Sequence, residues 1–163
     1  MKKTLKSQSG FTLIEFVIVL VILSLLAYIA FPNLLRTYMS ENEKSIKIAL
    51  RTFNGANEAY RKSQIPPNYA STIQELITPK ASPSFLDSSW KSTERHGFNL
   101  TYSGGGKEKP ESYSLLAVPT LQNRTAKNSY CIDPKGALIT SIDAAVPLSA
   151  SADGCAGGSP VVG

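Results

Sequence analysis

Ser9-Gly10-Phe11-Thr12-Leu13-Ile14-Glu15 opens an apolar run that continues to Phe31, and the rest of the 163-residue chain is organised around it. Between Phe11 and Phe31 only Thr12, Glu15, Ser24 and the hydroxyl of Tyr28 are polar. These 21 residues, at about 1.5 Å each, give roughly 31 Å of helix, enough to cross a hydrocarbon core. Val17, Ile18, Val19, Val21 and Ile22 are β-branched, yet a lone segment in lipid must satisfy its backbone internally, which decides for helix. Lys2, Lys3 and Lys6 precede the run and no comparable basic cluster follows at once, which puts the N-terminus on the cytoplasmic side. A secretory signal peptide shares the basic start. Here, however, the apolar block is too long, and Leu34, Leu35 and Arg36 stand where a small-residue cleavage site would be. An uncleaved signal anchor stays open as the alternative.

Glu15 is the one charge in the run. A carboxylate at the bilayer centre costs about 2.5–3.5 kcal/mol on insertion scales. Four residues beyond Phe11, it lies about 6 Å along the axis from that end, so it can reach the interface and avoid much of the cost.

The residues Gly10, Phe11, Thr12, Leu13 and Glu15, followed by Pro32 just past the run, resemble the type IV pilin family, including the pseudopilins of type II secretion. The resemblance implies a leader, residues 1–10, cut after Gly10 by a prepilin peptidase that also methylates the amine of Phe11. It implies a precursor in the inner membrane with a cytoplasmic N-terminus. An inner-membrane assembly platform then builds a homo-oligomeric helical filament, extracellular or spanning the periplasm. Glu15 would meet the amine of Phe11 from a neighbouring subunit, with interfacial snorkelling as the competing reading. Pro32 removes a backbone donor, and a kink is expected there in preference to a helix end.

The charge balance is less informative than it looks. Of 17 basic side chains, Lys2, Lys3 and Lys6 belong to the leader, which leaves 14 against 12 acids. A near-neutral mature chain gives little electrostatic case for nucleic acid. The cysteines, Cys131 and Cys155, fall in the last quarter. In an exported head they are expected to form one disulfide, since a metal site needs more ligands and His96 is the only histidine.

Residues 32–63 continue the helix in amphipathic form. Ile46, Ala49, Leu50, Phe53, Ala56 and Tyr60 recur with the helical period. Lys44, Lys47, Arg51, Glu58 and Lys62 take another side, and Ile48, Thr52, Gly55 and Ala59 form a third strip of mostly small residues. One apolar stripe suffices to bury a helix on its own domain. A second suggests contact with a neighbouring subunit, and plain solvation is the alternative. Residues 41–62 also resemble one branch of bacterial pilins, more loosely. Pro66-Pro67 is expected to stop the helix near Ser63 to Ile65.

The remainder, 64–163, reads as a globular head. Thr72 to Ile77 predicts a short helical turn with a Thr72/Glu75 capping box. The proline- and serine-rich stretch from Pro79 to Ser89 reads as connecting loop, with Trp90 packing on the head. About four strands follow: Phe98–Tyr102, Ser112–Val118, Ser129–Ile132 and Ala137–Ile142. Gly104-Gly105-Gly106 and Asp133-Pro134-Lys135-Gly136 supply turns. The tail from Pro147 reads as loop pinned by Cys155, with a loose end at Ser159 to Gly163. The fold class is α+β and pilin-like: a long N-terminal helix, membrane-spanning in its first half, laid by its second half on a small antiparallel sheet.

No catalytic set, cofactor motif or metal-ligand cluster stands out. The glycine run lacks the Gly-Lys-Ser/Thr ending of a phosphate loop, and Asp133, Asp143 and Asp153 are too widely spaced for a helix-loop-helix calcium site. A calcium site assembled by the folded head stays open. Asn99-Leu100-Thr101 and Asn123-Arg124-Thr125 are glycosylation-like triplets of a kind common by chance. Aromatics along the helix invite a conduction reading, but their irregular spacing fits ordinary packing better. The reading is a structural subunit and not an enzyme: a type IV pilus subunit. The alternatives are a type II secretion pseudopilin and a minor pilin with an adhesive or DNA-uptake role.

Overall fold

The computed structural model describes residues 11–79, 83–104, 109–141 and 148–161. The turn at Gly105 and Gly106, with Asp143, Ile142 and the leader, lies outside them. The chain divides between Thr37 and Tyr38 into two units, although one helix, α1 (Leu13–Ser63), runs through the boundary.

In the first unit α1 is one apolar rod. Every residue from Phe11 to Leu34 is exposed, and the helix is long and apolar enough to cross a membrane. Its polar side chains turn back on the backbone. Ser24 Oγ donates to the Leu20 carbonyl at 2.7 Å and Thr37 Oγ1 to that of Asn33 at 3.1 Å. Pro32 lies inside the helix. It brings no N–H for the carbonyl four residues back, that of Tyr28.

The second unit begins at Tyr38. Of the expected stripe, α1 buries Ile46, Ala49, Leu50, Phe53 and Tyr60 and half-buries Ala56, and it buries Met39 besides. Phe53 is fully buried and touches the rings of Trp90, Tyr102 and Tyr113 at centroid distances of 5.5, 5.3 and 6.0 Å. Truncating such a side chain to alanine costs about 3–5 kcal/mol. The helix ends at Ser63, before Pro66-Pro67.

A short helix, α2 (Ile73–Ile77), follows, and then a 3-10 turn at Ser88–Lys91 carries Trp90 into the core. The capping box expected at α2 is only half formed. Thr72 makes no side-chain cap, and Glu75 reaches back one residue further, accepting from Ser71 N at 2.9 Å. The same carboxylate oxygen accepts from the Tyr60 hydroxyl at 3.2 Å. That contact with α1 explains why the carboxylate is drawn away from the cap.

Among the described residues the sheet has six antiparallel strands where about four were expected. Its order is β1 (Glu94–Arg95), β2 (Phe98–Gly104), β3 (Tyr113–Pro119), β4 (Ser129–Ile132), β5 (Leu138–Ser141) and, from the tail, β8 (Ser159–Pro160). Strand alternation sends Phe98, Leu100, Tyr113, Leu115, Ala117, Tyr130 and Ile132 into the core under α1. β1 joins β2 through His96 and Gly97, whose φ angles of 50° and 74° are those of a two-residue hairpin turn.

The tail corrects the loop reading. β6 (Ser149–Ser151) and β7 (Gly154–Ala156) form a separate hairpin. Instead of a loose end, β8 pairs with β5 through Ile139↔Pro160 and Thr140↔Ser159. Proline suits that place because an edge strand has one side without ladder partners. The hairpin is fixed to β4 by the Cys131–Cys155 disulfide and to β3 by Ser114 Oγ donating to the Ser151 carbonyl at 2.7 Å.

Candidate assembly segment

At the start of α1, Glu15 N donates to Thr12 Oγ1 at 3.3 Å and Phe16 N to the Thr12 carbonyl at 3.2 Å. Thr12 is therefore the N-cap and Glu15 the third helical residue, the Thr-x-x-Glu pattern of a capping box. The sequence reading took Thr12 as part of the motif and did not recognise the cap, although that spacing was its signal. Among the described residues the Glu15 carboxylate has no hydrogen-bond or ion-pair partner. Phe11 is 72 % exposed, and Gly10 lies outside the described residues. The chain thus presents a bare apolar helix with a lone carboxylate in its first turn, where the positive end of the helix dipole favours negative charge.

The small strip is also bare. Ile48 is 65 % exposed, and Thr52, Gly55 and Ala59 are exposed with it. A Cβ placed on Gly55 would meet no heavy atom within 4 Å. The strip is therefore outside the core of its own head.

The charged stripe behaves differently from a merely solvated face. Glu58 accepts from the Tyr69 hydroxyl, and the Lys47 ammonium lies 5.7 Å from the centre of the Tyr130 ring. Two residues that the sequence reading did not single out hold the head to α1. Glu43 accepts from Lys127 N, Asn128 N, Asn128 Nδ2 and the Tyr130 hydroxyl at 2.9, 3.1, 3.0 and 3.0 Å. Asn57, fully buried, accepts from Ala70 N at 3.1 Å and donates to the Tyr102 hydroxyl at 3.2 Å. Burial, then hydrogen bonding to Glu58, pushes the Tyr69 phenol up to about 12. Burial, with Glu43 adding to it, does the same for Tyr130, to about 12. Burial also raises Tyr102 and Tyr113.

Among the described residues no group of three His, Cys, Asp or Glu side chains is placed to hold a metal ion. His96 sits in the β1–β2 turn. Its pKa is lowered, first by partial burial and then by Arg95.

An exposed apolar helix, a capped first turn with one carboxylate, and an α+β head make up a pilin-like architecture. Residues 5–31 match the prokaryotic N-terminal methylation motif, and the chain carries the prepilin signature shared by type IV pilins and pseudopilins. Comparison with curated proteins and with solved structures found no significant match.

Proposed function

We propose that this chain is the structural subunit of a type IV pilus. It enters the inner membrane as a prepilin, is cut after Gly10 and methylated on Phe11, and polymerises through α1. The observation that carries this reading is the bare apolar helix from Phe11 to Leu34 with the unpartnered Glu15 in its capped first turn. Such a surface needs lipid before assembly and neighbouring helices afterwards. In the filament, Glu15 pairs with the methylated amine of Phe11 on the adjacent subunit. Ile48, Thr52, Gly55 and Ala59 seat a neighbouring helix, and Pro32 loosens α1 so that neighbours fit. The Cys131–Cys155 bridge favours a pilus subunit over a secretion pseudopilin. Immunogold labelling with an antibody to the head tests the reading. Decorated surface filaments are expected, and label confined to the cell envelope would contradict it.

A further inference from the structure

A groove in the head takes no part in the filament reading. It lies between α2 and the 3-10 turn at Ser88–Lys91, and Ile73, Ile77 and Leu100 form its apolar part. Its cavity volume is about 190 Å³. That is below the roughly 300 Å³ at which sites for drug-sized molecules begin, so it suits a single small ring. Trp90 lines the same groove. It is 4 % exposed, held against the Phe53 ring and under the Arg95 guanidinium, which lies 4.3 Å from the centre of its ring. A buried indole N–H usually finds an acceptor, yet Trp90 Nε1 donates to nothing among the described residues. Arg61 Nε is the one buried side-chain polar atom there without a partner. The indole N–H is therefore open to solvent, and the groove is the opening that Trp90 lines. Three more groups of the groove are unspent. Lys91 is exposed, with no ion-pair partner among the described residues. Thr93 uses its carbonyl, which accepts from Leu100 N at 2.7 Å, and leaves its hydroxyl unbonded. Gln74 donates through Nε2 to Thr78 Oγ1 at 3.0 Å, which leaves Oε1 free to accept.

The chemistry of this set selects its ligand. A cation and an orphan indole donor in one groove complement a carboxylate. An apolar floor with a hydroxyl and an amide oxygen at its rim complements a ring that shows C–H groups on its face and hydroxyls on its edge. A neutral sugar would leave Lys91 without a partner, and an aliphatic acid would leave Thr93 and Gln74 without theirs. We propose that the groove between α2 and Trp90 binds one hexuronate, an acidic sugar residue. Its carboxylate meets Lys91 and Trp90 Nε1, and its hydroxyls meet Thr93 and Gln74. All of these residues belong to the head, so the inference stands apart from how the chain assembles.

Trp90 is the single tryptophan of the chain, so its fluorescence reads the groove directly. The full chain, held in a polyoxyethylene detergent that carries no sugar, is titrated at constant ionic strength with glucuronate, galacturonate, glucose and hexanoate. At least one uronate should change the emission saturably, with a dissociation constant of about 1 mM for a ligand of this size. Glucose and hexanoate should bind about tenfold more weakly. Lys91→Met should weaken the uronate about tenfold, to the level of glucose, and leave glucose itself unchanged. Thr93→Val should weaken both sugars and not hexanoate. Lys91 and Thr93 are exposed, and an unchanged melting temperature of each variant checks the fold. The comparison of ligands on the parent chain decides the matter even if a variant misfolds. Emission that stays flat with both uronates would overturn the proposal. So would hexanoate binding as tightly as a uronate, which would make the groove a site for apolar acids. Glucose binding as tightly, or a folded Lys91→Met variant that binds the uronate like its parent, would overturn it too.

Discussion

The backbone N–H of Glu15 donates to the side-chain oxygen of Thr12 at 3.3 Å, which places the only charge of the apolar segment in the first turn of a capped helix. Thr12 orders that turn, and the helix dipole offsets part of the cost of the carboxylate. Neither supplies a counter-charge.

Glu15→Gln should therefore leave insertion and leader removal intact and reduce filament yield sharply. Thr12→Ala should have the milder effect, since a lost cap costs about 1 kcal/mol. Quantifying sheared filaments against membrane-bound mature protein separates the two. Wild-type yield from Glu15→Gln would favour interfacial snorkelling over pairing between subunits.

Gly55→Leu or Ala59→Leu should block filament growth without destabilising the head. Nothing lies within 4 Å of a Cβ at Gly55, and replacing a mid-helix glycine removes a propensity cost of about 1 kcal/mol. The melting temperature of the full chain in detergent should be unchanged or slightly raised. Normal filaments would show that the strip is merely solvated.

Glu43→Ala should destabilise the head by about 2–3 kcal/mol, because it strands two backbone N–H groups and the Tyr130 hydroxyl. Hydrogen exchange at the amides of Lys127 and Asn128 should accelerate in step. Protected amides in the variant would mean that the 121–128 turn holds without its tie to α1.

How far the sequence could be read followed the range of each interaction. The long apolar helix, the buried stripe from Ile46 to Tyr60 and the four main strands were legible because composition and periodicity within a short window decide them. β1 was missed because it has only two residues, although His96-Gly97 is a turn dipeptide. β6 to β8 were missed because small residues carry no strand signal. Pairings such as Ile139↔Pro160 form only after the chain has returned to the sheet. The role of Glu43 was not legible, since its partners lie about 85 positions away, beyond any local pattern.

Raising the pH should destabilise the head in a defined window. Tyr69 and Tyr130 ionise in the folded head only at about 12, whereas the unfolded chain releases these protons near the ordinary value of about 10. Their stabilising contribution is therefore complete below about pH 10 and is lost as pH rises towards 12. Denaturant melts across that range, read with phenolate absorbance, should show stability falling as the exposed tyrosines ionise first. A flat profile would contradict the burial of these phenols.

The central claim, that this is a processed subunit polymerised through α1, is tested most directly by the intact mass of protein recovered from sheared surface filaments. The account predicts a chain beginning at Phe11, heavier by one CH2 for the methyl that replaces an amine hydrogen and lighter by two hydrogens for the Cys131–Cys155 bridge. A mass that still includes residues 1–10 would contradict it.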